Sequence, residues 1–209
     1  MLNINEENIM ASFKEIEKGC SQHGIPPLDT YVIDDGWNNY NSDKYHVWQP
    51  DISGTTYNTD GFWTFNNKFP HKFTPPSDYS RKIASNFGVW LGPRGGYVTA
   101  GDFGKMIEDA GNGYYNARND DIDVGSHKYI EKLKDFLVSL IRDYKVNYYK
   151  LDGFTDNPCT NTTHDHMTGG PDNMYYFTDM WERYIDAFTE MRQASIDVGL
   201  DDFWISATT

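Results

Sequence analysis

Tyr148-Tyr149-Lys150-Leu151-Asp152-Gly153-Phe154 has the pattern of a strand that stops at a turn. Two aromatic rings lead an apolar run to one carboxylate, and a glycine then breaks the strand, so Asp152 is delivered at the end of a strand facing a cleft. The same grammar stands earlier in Tyr31-Val32-Ile33-Asp34-Asp35-Gly36-Trp37, where an apolar run again stops at acid, glycine and a ring. Each ending is followed by a loop and a helical pattern. Two such endings predict a βα-repeating fold whose chemistry sits at the carboxyl ends of parallel strands.

Outward from these two strands, the alternation holds along the chain. Ile9, Met10, Phe13, Ile16 and Cys20 recur at three- and four-residue spacing and predict an amphipathic helix from Ile4 to His23, with Gly24 as its stop. A strand over Thr30 to Ile33 follows, then a polar and aromatic stretch from Asn38 to Pro76 that reads as a lid or binding insertion. Ser77 is expected to cap a short helix through Asn86, Phe87 to Leu91 to form a buried strand, and Asp102 to Ala110 a helix. Asn112 to Val124 reads as a polar loop. Ser126 then caps a helix carrying Ile130, Leu133, Leu137, Leu140 and Ile141 on its apolar face. Val146 to Leu151, a helix from Asn173 to Val198 and a strand from Phe203 to Ala207 complete the series. Four strands with their helices are about four βα units, roughly half of an eightfold barrel. Residues 1–209 are therefore expected to be one partial (β/α)8 TIM-type barrel domain, truncated on the C-terminal side.

Composition excludes more than it identifies. With 18 basic against 31 acidic residues the net charge is −13, which argues against nucleic acid or an anionic membrane as partner. No run approaches a transmembrane helix, and the start of the chain, with Glu6 and Glu7, does not read as a signal peptide; either a cytoplasmic or a secreted setting fits. Cys20 and Cys159 are too few for a disulfide framework. The 6 Trp, 15 Tyr and 12 Phe are mostly core material, yet rings beside acids are what a sugar site uses, with apolar faces for ring carbons and carboxylates for hydroxyls.

Asp34, Asp35 and Asp152 fall on one rim. Carboxylates there can accept paired hydrogen bonds from vicinal hydroxyls, or one can attack an anomeric carbon while another acid protonates the leaving oxygen. An Asp before glycine is equally a turn residue when taken alone. Lys150, two residues before Asp152, faces the same side of its strand and favours the ionised acid. Trp90 reads either as a core ring or as a substrate platform, and Arg94 and Arg118 as loop cations that donate to sugar oxygens or are simply solvated. His164-Asp165-His166 has two imidazoles in a metal-like spacing but no recognisable third ligand, so neither a metal nor a cofactor is expected. Asp120, Asp121 and Asp123 lack the pattern of a calcium loop and read as a solvated turn. Asn161-Thr162-Thr163 fits the glycosylation pattern, which matters only in a eukaryotic secretory setting.

Taken together, Tyr31 to Trp37, Lys68-Phe69-Pro70 after Trp63, Phe87 to Pro93 and Tyr148 to Phe154 resemble, in order and spacing, the α-galactosidases and α-N-acetylgalactosaminidases of glycoside hydrolase family 36. The resemblance implies a (β/α)8 barrel and a retaining mechanism on an oligosaccharide or glycoconjugate with a terminal α-galactosyl-type sugar. It implies Asp152 as nucleophile, Asp34 and Asp35 as holders of the sugar hydroxyls, Trp90 as a subsite ring, Lys150 as a hydroxyl donor and, more loosely, Arg118 as a further binding residue. Leu151 stands where the family commonly has Trp, and Gly92-Pro93-Arg94 replaces an acid-containing motif. The family's general acid/base belongs to a sixth strand, expected beyond Thr209. A galactosyl transferase of the raffinose synthase type and a noncatalytic sugar-binding protein are the alternative readings.

Overall fold

The computed structural model describes residues 4–45, 56–155 and 157–208. Among these residues six strands and five α-helices follow the order α1 (Glu6–Gln22), β1 (Thr30–Ile33), α2 (Thr74–Lys82), β2 (Asn86–Leu91), α3 (Ala100–Asp109), β3 (Tyr115–Asn116), β4 (Asp121–Ile122), α4 (His127–Tyr144), β5 (Tyr148–Asp152), α5 (Met174–Asp197) and β6 (Trp204–Thr208), with a 3-10 turn, Pro171–Asn173, leading into α5. β1, β2, β5 and β6 form one parallel sheet in that order, with Ile33 opposite Val89, Leu91 opposite Leu151 and Asp152 opposite Thr208. All four carboxyl ends therefore meet one edge of the sheet.

Alternation along the strands sorts the side chains. Tyr31, Ile33, Phe87, Val89, Tyr149 and Leu151 are buried. Tyr31 packs on Phe13 of α1, Phe87 on Phe73 before α2, and the Tyr149 hydroxyl donates to the Leu137 carbonyl of α4 at 2.8 Å. That face is the helix layer. The opposite face carries Asp34, Trp90, Lys150 and Asp152. Among the described residues β1 pairs only with β2, and β6 only with β5. The expected barrel is thus seen as an open, four-stranded parallel sheet in a mixed α/β fold, and these residues do not close it.

Four local expectations change. The helix expected to start at Ser77 starts at Thr74: Pro75 and Pro76 supply preset first-turn angles, and Ser77 lies inside, its hydroxyl donating to the Tyr144 carbonyl. The loop from Asn112 to Val124 contains the antiparallel pair β3 and β4, two residues each, too short to show a period. The stretch from Asn38 to Pro76 is no lid where it is described. Tyr40, Phe62, Trp63, Phe69 and Phe73 enter the core, and Asn38 bridges Phe65; residues 46–55 lie outside the described residues. Finally, the acidic turn is not solvated, since Asp121 and Asp123 are buried and only Asp120 is exposed. Two helix starts carry side-chain caps: Asn5 accepts from Asn8 N–H at 2.8 Å, and Ser126 caps α4 as expected.

Candidate functional site

Asp152 closes β5, and Gly153 takes φ +76, a conformation that turns the chain sharply away and leaves the carboxylate at the sheet edge. Its Oδ2 accepts from Trp90 Nε1–H at 3.1 Å and from the Tyr97 hydroxyl, and its Oδ1 accepts from the Thr208 hydroxyl at 2.7 Å. Three neutral donors, Tyr97 foremost, with Thr208, Trp90 and the nearby Lys150 charge, outweigh partial burial and hold the carboxyl below its ordinary range. The same contact pushes the Tyr97 phenol up to about 12, so it remains a donor. Asp152 is an anion at neutral pH.

Beside it on the same face, Lys150 Nζ lies 2.9 Å from Asp34 Oδ2, and that contact raises the ammonium's pKa. Asp34 Oδ1 also accepts the Asp35 N–H at 2.8 Å, fixing the turn after β1. Asp35 is only 5% exposed; burial raises its carboxyl, against the Gly36 N–H and the Tyr40 hydroxyl, which donates to Oδ1 at 3.3 Å. Adjacent acids thus differ: one is open and ion-paired, the other enclosed.

A cavity of about 300 Å³ opens at Asp152, bounded by Trp90, Arg94, Tyr97, Asn119, Asp121 and the glycines at 95, 96 and 153. Its size is at the lower end for small-molecule sites. Asp34, Asp35 and Lys150 do not line it, and neither does the exposed Arg118, although its neighbour Asn119 does. Of the two readings of Trp90 the core ring is the one seen: it is 1% exposed, stacked under Tyr97 at 6.0 Å, with its N–H on Asp152. Tyr97 and Thr208 were missed by sequence reasoning. The parallel register that puts Thr208 opposite Asp152 joins residues 56 apart and leaves no local signal, and Tyr97 is marked only by the two glycines before it.

Behind this edge, on the loop after β5, lies a second group. Cys159, His164 and His166 converge on Asp123, one donor atom from each within 4.8 Å of every other. His164 Nδ1 is 2.7 Å and His166 Nε2 2.9 Å from Asp123 Oδ2, while Cys159 Sγ is 3.4 Å from His164 Nδ1. Burial opposes charge on Asp123, but the two imidazoles hold its carboxyl well below the usual range. Asp165, between the two histidines, instead caps α4, accepting the His127 and Lys128 N–H groups at 2.9 and 3.1 Å.

No family model and no curated protein matches the chain. Solved structures do. The α-galactosidase TtGalA from Thermus thermophilus, in complex with stachyose, superposes with TM-score 0.54 at 14% identity over 100% of this chain and 38% of its own. The α-galactosidase from Lactobacillus brevis gives 0.53 at 16% over 95% and 25%, and the family 36 α-galactosidase AgaA from Geobacillus stearothermophilus gives 0.51 at 14% over 97% and 26%. At these identities the likeness shows a fold shared with part of these enzymes. The chain spans only about a quarter to two-fifths of the length of these enzymes.

Proposed function

We propose that this chain carries the nucleophile and part of the sugar subsite of a retaining α-galactosidase-like glycoside hydrolase. The observation behind this reading is Asp152: an ionised carboxylate at the carboxyl end of a parallel strand, bordering a cavity and steadied by Trp90 and Thr208. In the reaction Asp152 attacks the anomeric carbon, the glycosidic oxygen leaves with a proton from a second acid about 5 Å from the nucleophile, and water then releases the sugar. By the family resemblance that second acid is expected on a strand beyond Thr209. Asp34, presented by Lys150, and the enclosed Asp35 accept hydroxyls of the terminal sugar, and Lys150 donates to one. Arg118 joins from its loop. The ligand is an oligosaccharide or glycoconjugate ending in α-linked galactose or N-acetylgalactosamine. TtGalA is in complex with stachyose and a variant of AgaA with raffinose, which supports this class.

The test is made on the protein with a complete catalytic domain. Asp152→Asn is expected to lower turnover of an aryl α-galactoside by on the order of 10⁴-fold and to abolish covalent labelling by an activated fluoro-galactoside. Asp35→Asn is expected to retain labelling, with a raised concentration for half-saturation. A label mapped by peptide mass to any residue other than Asp152 removes the assignment.

A further inference from the structure

We propose that Asp123, Cys159, His164 and His166 form a structural site for a tetrahedral transition-metal ion, zinc by the chemistry of its donors. The set combines a soft thiolate, two imidazoles and one carboxylate, which suits zinc and rules out the oxygen-only preference of calcium or magnesium. With Cys159 deprotonated, two negative ligands balance the ion's two positive charges, so the buried site carries no net charge; the thiol proton leaves to solvent.

Geometry supports the assignment at each ligand. Tetrahedral zinc with ordinary bond lengths separates N and O donors by about 3.3 Å and N and S donors by about 3.6 Å. The observed 2.7, 2.9 and 3.4 Å need to open by about 0.6, 0.4 and 0.2 Å, and the other donor pairs, all within 4.8 Å, close to the tetrahedral spacing by side-chain rotation. His166 is the most telling residue. Its Nδ1–H donates to the Met167 carbonyl at 3.0 Å, which in the neutral ring leaves the Nε2 lone pair for a ligand. That nitrogen is buried and makes no directed hydrogen bond, although it lies 2.9 Å from the Asp123 carboxylate. At 2.9 Å from a buried carboxylate that nitrogen needs either a proton of its own or a cation between the two, and a shared metal ion supplies the second. The outer partners suit the same role. Tyr176 donates its hydroxyl to Asp123 Oδ1 at 3.0 Å and itself accepts the Gly125 N–H at 2.9 Å, leaving Oδ2 for the ion. His164 Nε2 accepts from the Asn161 Nδ2–H at 2.8 Å, and the Asn161 oxygen accepts the Thr163 N–H at 3.0 Å and the Thr163 hydroxyl at 2.8 Å, which fixes the ring in place.

Four protein ligands in a buried site leave no open position, so the ion is structural. It ties the loop after β5 to the segment after β4, and so braces the turn that follows Asp152. Three ligands lie within eight residues, Cys159 to His166, and the fourth comes from a separate element, which is the arrangement a loop clamp requires.

Metal content decides the matter without reference to catalysis. The untagged chain, expressed with zinc and passed over a chelating resin, is expected to retain about one zinc per chain by mass spectrometry. Replacement by cobalt is expected to give intense visible bands of a tetrahedral ion together with a near-ultraviolet thiolate-to-cobalt band. Cys159→Ser is expected to lose that band and most of the metal, and Asp123→Asn to weaken retention while keeping the band. Should either variant fail to fold, X-ray absorption at the zinc edge of the unaltered chain still reads one sulfur among four ligands. Sub-stoichiometric metal in the folded chain, with cobalt remaining octahedral, overturns the proposal and leaves the cluster as an ion pair of Asp123 with protonated His166.

Discussion

At the scale of single residues, the balance around Asp152 is set by its neighbours rather than by burial. Trp90, Tyr97 and Thr208 all donate to the ionised form and none to the acid, so the carboxyl titrates below its ordinary value near 4. The sign follows directly. A lowered folded-state pKa makes these contacts stabilising above the unfolded value, and the gain is lost as pH falls through the folded one. Tyr97→Phe removes the leading donor, keeps the ring on Trp90, and is expected to move the Asp152 titration up toward the ordinary range. Carbon-13 carboxyl titration by NMR checks this. A titration unmoved by the change would mean that the Tyr97 contact does not form in solution. Asp34, Asp35, Lys150 and Asp152 were all legible as residues because each follows an apolar run or alternates with one. Their partners were not, because hydrogen bonds such as Thr208 to Asp152 depend on register between strands distant in the chain.

At the scale of elements, α4 shows how a strong local pattern carries through to structure. Its apolar residues Ile130, Leu133, Leu137, Leu140 and Ile141 are buried as their spacing required, and Ser126 and Asp165 satisfy its first N–H groups. Its end is less favourable. Lys145 adopts φ +56 to turn the chain into β5, a left-handed conformation that glycine enters freely and a β-carbon resists. Lys145→Gly is therefore expected to raise stability by about 0.5–1 kcal/mol, read as a higher urea midpoint with an unchanged slope. A fall in midpoint would show that the bond from Lys145 Nζ to the Arg142 carbonyl, 2.8 Å, outweighs the backbone strain. Elements with a clear period were readable to within a few residues. β3 and β4 were not, and the burial of Asp121 and Asp123 went with them: an acid's burial is decided by what packs over it, and here Tyr176 of α5 arrives from 53 residues away.

At the scale of the whole molecule, the strand order and the common edge of the acids followed from repeated strand endings, while closure of the sheet could not be read from four strands. The open sheet has a physical consequence. β1 and β6 each have one strand partner among the described residues, and Trp204, on the face shared with Lys150 and Asp152, is 62% exposed at the β6 edge. Unpaired parallel edges beside an exposed indole favour pairing with another copy. A net charge of −13 acts against it by mutual repulsion. Salt screens the repulsion far more than it weakens edge pairing, so added salt decides which effect governs. The 209-residue chain on its own is expected to self-associate with rising concentration, and more strongly at high salt, as measured by light scattering on a sizing column. Trp204→Glu is expected to shift it toward monomer by removing the exposed indole and adding like charge to the edge. If the chain stays monomeric at high concentration in molar salt, its sheet edges are already covered in solution and the self-association argument fails.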